Sequence, residues 1–358
     1  MTELYPAQIA LKDPNTQLTY SQMRDRVAGI AAELLGRGVN SGTRVGVFQS
    51  ASADWICSLL AIWRIGAVYL PLDKKVGLER LSLMVAESRP LIILMDSTTA
   101  ADFVSLRSTV EALDIGNIAS TPGTLAPNLA TANQTAIIIY TSGSTGAPKG
   151  ISLSHSSHLH HIQACSRAWD FPLGKETVLH QSSYAWDMSM YQILMSLCNA
   201  ATLIIAPNST RGDPVAITDL IESGQVTTVL ATPTEYLAWF RHGRESLHRS
   251  SLAIAISGGE PATTGLMKRF QSLGKRELRL FNVYGPAEVT LACSTAEIPY
   301  TQLNSDFPDS CLGLSTLANY SVCIVAENMQ PLPIGIPGEV IVGGAGVAEG
   351  YLDHSLTK

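Results

Sequence analysis

Five consecutive apolar residues, Ala136-Ile137-Ile138-Ile139-Tyr140, leave no polar face. Such a run fits a strand buried on both sides of a covered sheet. Shorter runs of the same kind precede it: Val45-Gly46-Val47-Phe48, Val68-Tyr69-Leu70 and Leu91-Ile92-Ile93-Leu94. Helical patterns lie between them. Thr19 with Gln22 three residues on forms a capping box. Behind it Met23, Val27, Ile30, Leu34 and Leu35 share one helical face, which Gly36 and Gly38 close. Further helices are expected from Trp55 to Ile65 and from Leu78 to Val85. Strand and helix in alternation predict βαβ units, a largely parallel sheet and an α/β fold.

Two irregular stretches interrupt the alternation, Ile118 to Gln134 and Pro299 to Asp309. After the second come short strand-like segments, Val322-Cys323-Ile324-Val325 and Glu339-Val340-Ile341-Val342. The expected organisation is an α/β region over 1–134, a second over 135–300 and a β-rich region over 301–358. With 46% hydrophobic and 15% charged residues the chain buries a large core and is not disordered. A net charge of −6 argues against nucleic acid as a partner. The one basic stretch, Lys275-Arg276-Glu277-Leu278-Arg279, reads as a solvated face. Six scattered cysteines suit reduced thiols. The N-terminus lacks the pattern of a signal peptide and no apolar run reaches membrane-spanning length. A cytoplasmic protein without a membrane partner is expected.

The apolar strand runs straight into Thr141-Ser142-Gly143-Ser144-Thr145-Gly146-Ala147-Pro148-Lys149-Gly150. Small residues let backbone N–H groups crowd around phosphate oxygens, and the hydroxyls and one lysine add donors and charge. Lys149 is followed by Gly150 and lacks the Gly before it and the Ser/Thr after it, so this is not a Walker A loop.

This loop resembles the phosphate-binding signature of adenylate-forming enzymes, which include adenylation domains of nonribosomal peptide synthetases, acyl-CoA ligases and luciferases. Three more segments are similar to family motifs in the same order: Leu60 to Asp73, Phe281-Asn282-Val283-Tyr284-Gly285-Pro286-Ala287-Glu288, and Gly338 through Leu352. The resemblance covers essentially the whole chain. It implies a core of two Rossmann-like α/β subdomains plus a β-barrel-like subdomain, with ATP and Mg²⁺ as cofactors. It also implies site residues. Thr141 to Gly146 and Lys149 would hold phosphates. Tyr284 would stack on adenine and Asn282 would bond its amino edge. Gly258, Gly259, Glu260 and Gly285 would line the nucleotide. Glu288 would hold the metal, a hard cation suited to one carboxylate plus phosphate oxygens. Lys149 and Glu288 are the expected catalytic pair. One departure stands out: Ala287 occupies a position where the family usually has a hydroxyl near the α-phosphate.

The segment Trp186-Asp187-Met188-Ser189-Met190-Tyr191 is similar to one whose aspartate binds the α-ammonium of an amino acid. An unpaired charge among Trp, Met and Tyr would be expensive. A plain helix-capping role is the alternative. By the same resemblance the amino-acid pocket comprises Asp187, Met188, Tyr191, Leu230, Ala255, Ser257, Val283, Leu291 and Ala292. Apart from Asp187 none is charged, so a neutral, largely apolar substrate is expected, with a large side chain favoured over glycine or alanine.

Four histidines, His155, His158, His160 and His161, match no zinc motif and are expected on an exposed helix face. Gly344, Gly346 and Gly350 have the wrong spacing for a dinucleotide loop. The resemblance runs out at Lys358, before the family's ribose-binding aspartate, hinge and mobile C-terminal subdomain with the adenylation lysine. A truncated core that binds nucleotide but adenylates poorly is therefore expected. Ser209 to Pro214 resembles fungal polyketide–peptide hybrid synthetases. The implied partners are an amino acid, a carrier protein with a phosphopantetheine arm, and neighbouring synthetase domains. An acyl- or aryl-CoA ligase core and a non-catalytic binding module are the alternatives.

Overall fold

The computed structural model describes residues 1–106, 109–142, 148–302, 310–311 and 315–357. Its two large sheets face each other across a layer of helices. From edge to edge, one contains Ser315–Thr316, Ser294–Glu297, Arg279–Tyr284, Ile254–Ser257, Thr228–Ala231, Thr177–His180, Thr202–Ile205, Ile9–Lys12 and Gln17–Thr19. The strands from Arg279–Tyr284 to Ile9–Lys12 pair in parallel. The other sheet runs Gly350–Tyr351, Pro148–Ser154, Thr135–Ser142, Val68–Pro71, Arg44–Phe48, Ile92–Met95 and Glu111–Asp114.

Helices Tyr20–Gly36, Ala53–Arg64, His155–Ala168 and Asp187–Cys198 fill the space between the sheets. Val47, Tyr69 and Ile139 of one sheet and Leu203, Leu230 and Ile256 of the other belong to the same apolar cluster as these helices. Helices Pro214–Ser223, Pro233–His242 and Thr264–Gln271 cover the outer face of the first sheet. Leu78–Ser88 covers the outer face of the second. The run 136–140 is buried throughout, as an interior strand requires. The capping box forms: the Gln22 amide donates to Thr19 Oγ1 and the Thr19 amide to Gln22 Oε1.

The sheets do not divide at residue 134. Ile9–Lys12 and Gln17–Thr19 belong to the sheet otherwise built from the second half of the chain. Thr135–Ser142 and Pro148–Ser154 belong to the sheet of the first half. Parallel pairing works through crossovers, so an irregular stretch of sequence need not mark a sheet boundary. Residues 301–358 are also shared out. Only Tyr320–Val325 and Glu339–Gly344 pair as a separate hairpin, while Ser315–Thr316 and Gly350–Tyr351 edge the two large sheets. The carboxyl ends of the sheets' strands meet, where Ser183 Oγ donates to Asp73 Oδ2 (2.6 Å) and Tyr184 OH to the Gln49 carbonyl (2.7 Å). In open α/β folds that is where ligands bind.

Candidate functional site

Asp187 sits at this meeting point. It is the first residue of its helix and not the cap; Trp186 holds the cap position and gives no side-chain hydrogen bond. No ion pair reaches its carboxylate among the described residues. Burial pushes the carboxyl up to about 6. The backbone amides of Met188 and Asp187 pull against that rise, and the charge of Glu288 adds to it. Such a group is short of a cation.

Asp187 borders two very different spaces. The first is a cleft of about 510 Å³, lined by Val76, Arg80, Tyr140, Thr141, Trp186, Gly285 and Ala287 among others. Thr141 ends the buried strand, and Arg80 Nη2 donates to its carbonyl (3.2 Å). Gly143, Ser144, Thr145 and Gly146 lie outside the described residues, as does the side chain of Ser142. Lys149 pairs opposite Thr141 on the adjoining antiparallel strand, so the loop between them is the turn of a hairpin. Its Nζ lies 6.0 Å from the centre of the Tyr351 ring.

On the other side of the cleft, Ser257 and Asn282 end adjacent parallel strands, in register. Gly258 and Gly259 follow Ser257, and Gly259 has φ +81°, a backbone that glycine adopts without strain. Glu260 Oε2 is taken up by the Thr234 amide and hydroxyl (3.0 and 2.7 Å). Asn282 is buried, while Tyr284 is 46% exposed, its ring open to a planar partner. Gly285 must be glycine, because a Cβ there would lie 2.6 Å from Ala292 Cα. Glu288 accepts a hydrogen bond from Tyr351 OH at Oε1 (2.7 Å), and its carbonyl accepts from the Ala348 amide (2.8 Å). Among the described residues no three His, Cys, Asp or Glu could enclose a metal ion. A cation at Glu288 therefore suits the case of one carboxylate completed by phosphate oxygens and water, which Mg²⁺ accepts.

The second space is a crevice between helices His155–Ala168 and Asp187–Cys198, lined by Leu153, His158, His161, Asp187, Tyr191 and Leu291 among others. Its free volume is about 10 Å³, enough for about one water molecule. Thr290 and Leu291 both hold left-handed backbones (φ 59° and 74°). That is strained for either residue, and Thr290 Oγ1 is tied to the Gly346 carbonyl (2.7 Å). Met188, Tyr191, Leu230, Val283 and Ala292 join one apolar cluster, with Leu291 packed on it.

Two expectations need correction. Ala255 packs into the cluster on the opposite face of its sheet, beside Val229 and Leu280. By strand alternation Ser257 shares that face, and its buried hydroxyl finds no partner among the described residues. The histidines are not an exposed face either. His158 and His161 are buried, and His155 and His160 half-buried. His158 donates from Nδ1 to the Ser154 carbonyl (2.9 Å), and His161 lies between Tyr320 OH (3.3 Å) and Cys165 Sγ (3.6 Å). Burial lowers them to about 4 and about 3, so both are neutral near pH 7. The signal was present in the sequence: His158, His161, Ile162, Cys165 and Trp169 form a stripe at i, i+3, i+4, i+7 and i+11. Arg80 and Tyr351 were also missed. The first lies in a helix with no motif of its own, and the second in a motif to which no contact was assigned.

Comparison with known proteins gives a consistent result. The family model described as AMP-binding enzyme matches residues 2–352. The chain is 44% identical over 359 residues to the polyketide synthase-nonribosomal peptide synthetase ffsA of Aspergillus flavipes, covering 100% of this chain and 9% of that protein. It is 42% identical over 366 residues to the hybrid PKS-NRPS synthetase poxE of Penicillium oxalicum, covering 99% of this chain and 9% of that protein. It thus spans about a tenth of the length of these relatives. Among solved structures, holo-AB3403, a four-domain nonribosomal peptide synthetase bound to AMP and glycine, superposes with a TM-score of 0.84 at 27% identity, over 97% of this chain and 25% of that one. The synthetase FmoA3 gives 0.90 at 22% identity, over 99% and 37%, a likeness of fold.

Proposed function

Since this chain belongs to the AMP-binding enzyme family, as an adenylation domain of the nonribosomal peptide synthetase type, we propose that it converts ATP and a neutral, largely apolar α-amino acid into aminoacyl-AMP and pyrophosphate. The observation that carries the substrate class is Asp187. A carboxylate held without a cation, at the mouth of an apolar crevice and beside a larger cleft, is suited to an α-ammonium group. The substrate's side chain would enter the crevice and its carboxylate would remain in the cleft.

The chemistry asks mainly for placement. A carboxylate oxygen bonds to the α-phosphorus, the bond from that phosphorus to the bridging oxygen breaks, and pyrophosphate leaves with the electron pair. Holding two anions together and neutralising phosphate charge are the main contributions the protein makes. Tyr284 offers its ring to adenine, Asn282 its amide, and the turn Gly258-Gly259-Glu260 its backbone. Thr141, Ser142, Gly143, Ser144, Thr145 and Gly146 would supply donors to the phosphates, with Lys149 as a cation. Glu288 would hold Mg²⁺, which neutralises phosphate charge when bound.

The names of ffsA and poxE describe hybrid synthetases. By analogy, the partners assigned to this chain are neighbouring synthetase domains and a carrier protein, whose phosphopantetheine thiol displaces AMP from the aminoacyl-adenylate. No helix among the described residues is long and apolar enough to cross a membrane, and a cytoplasmic location is part of the proposal. ATP–pyrophosphate exchange across the standard amino acids tests the reading. The strongest signal should come from neutral apolar substrates; Asp, Glu, Lys or Arg giving it would overturn the pocket assignment.

A further inference from the structure

A triphosphate brings several negative charges into a site that already holds the carboxylates of Asp187 and Glu288. The expected counter-charge from the protein is Lys149. Its ammonium, however, lies by the Tyr351 ring, and the residue lines a separate pocket with Glu87 and Asp353. Among the described residues lining the cleft itself, one side chain is cationic, and that is Arg80.

Arg80 projects from helix Leu78–Ser88 and is half-buried. Its guanidinium touches the chain where the Gly/Ser/Thr loop leaves its strand, through the bond from Nη2 to the Thr141 carbonyl. No carboxylate among the described residues pairs with it. Its other N–H groups are in a position to serve a ligand in the cleft. Ala287 lines the same cleft and has no side-chain donor to offer. Tyr284 precedes the Gly285 and Ala287 side of the cleft, with Thr141 and Arg80 also lining it. A nucleotide with its base on Tyr284 would therefore direct its outer phosphates toward Thr141 and Arg80.

We propose that Arg80 binds the β- and γ-phosphates of ATP and holds the pyrophosphate as it leaves. This assignment rests on the adenylation reading. A guanidinium presents a planar fork of donors that matches two phosphate oxygens at once and keeps its charge at any working pH. Arg80 takes no part in bond making; it stabilises the charge that collects on the leaving group.

The competing role for Arg80 is that of a strut between its helix and Thr141. Nucleotides separate the two, because AMP lacks the phosphates that Arg80 would touch. Calorimetry on the full chain should compare ATP, AMP and inorganic pyrophosphate for the wild type, Arg80→Met and Arg80→Lys. In Arg80→Met, ATP and pyrophosphate should weaken about 10- to 100-fold, the size of a charge-assisted hydrogen bond, with AMP within about twofold. Arg80→Lys keeps the charge and loses the fork, so its ATP-to-AMP affinity ratio should fall between the other two. That ratio carries the test if Arg80→Met does not fold. Equal weakening of ATP and AMP, or an unchanged ratio in both variants, would overturn the assignment in favour of the strut. A wild type that binds AMP and ATP but gives no exchange with any amino acid would sink the substrate reading and leave this one standing. A wild type that binds neither nucleotide overturns both.

Discussion

The cleft and the crevice share Asp187 and little else. The cleft is roomy, about 510 Å³, and much of its nucleotide side is turns and strand ends: Gly258 to Glu260, Gly285, and Thr141 at the root of the Gly/Ser/Thr loop. The crevice has about 10 Å³ free and is walled by side chains, including Tyr191, His158, His161 and Leu291. A ligand bound by backbone groups is recognised in one shape, whatever the neighbouring side chains are. A ligand bound by side chains is recognised through residues that can be exchanged. The same fold can thus keep one nucleotide and change its second substrate, and the amino acid must open its own space here by moving its walls. Methionines 188 and 190 are suited to such movement.

The most severe way to break the comparison is Asp187→Ala. It removes the one charge assigned to the ammonium group and touches none of the turns assigned to the nucleotide. Removing one partner of a buried ion pair costs about 3–5 kcal/mol, or two to three powers of ten or more in affinity. Amino-acid binding should fall by that factor while AMP binding hardly changes. Calorimetry with each ligand checks it, and unchanged amino-acid affinity would reduce Asp187 to the helix-terminal carboxylate it also is.

Leu291→Gly should sharpen it next. Leu291 narrows the crevice and holds φ 74°, where glycine is at ease. The substitution removes a wall and relieves strain in one step, so the chain should keep its stability. Each methylene that the enlarged space admits is worth about 1–3 kcal/mol of discrimination. Exchange rates should therefore shift at least about tenfold toward bulkier side chains. An unchanged ranking would place the specificity pocket elsewhere.

How far the two subsites could be read from sequence differs in the same way. Asp187, Tyr284 and Glu288 were legible because each lies in a contiguous motif, and the strand 136–140 because its burial is written in its own composition. The crevice was less legible. Ala255 was expected in the pocket, yet strand alternation turns it to the other face, and a one-residue choice of face does not show in an all-apolar run. The histidines follow a helical stripe, but a polar residue type masked it. Arg80 and the pairing of Ile9–Lys12 with Thr202–Ile205 depend on contacts between distant segments, which no local pattern records.

Acidification should act on the crevice side before the cleft side. Asp187 must be ionised to pair with an ammonium group, and its carboxyl is raised to about 6 in the free protein. The pairing is thus fully available above about pH 7 and is lost as pH falls through 6. Below that point affinity should drop about tenfold per pH unit, the slope for one required ionisation. Asp187→Asn should bind weakly with no such slope. A wild-type affinity that stays flat from pH 7 to 5 would contradict the raised carboxyl.

The smallest effect is expected at Tyr351, which acts on the cleft side alone. Its hydroxyl donates to Glu288 Oε1, and that bond is the first cause, with burial second, of its rise to about 12. The bond occupies one carboxylate oxygen and fixes the plane of the other, so Oε2 is the oxygen left to face a cation. Tyr351→Phe keeps the ring beside Lys149 and removes only the hydroxyl. Losing one hydrogen bond of net worth about 0.5–1.5 kcal/mol should weaken Mg²⁺-dependent ATP binding about two- to tenfold. AMP binding without Mg²⁺ and the amino-acid ranking should both stay as they were. Titration of ATP affinity against Mg²⁺ in the two proteins measures the difference directly. A tighter Mg²⁺ response in Tyr351→Phe would reverse the interpretation, because the hydroxyl would then be competing with the cation for Glu288 instead of orienting it.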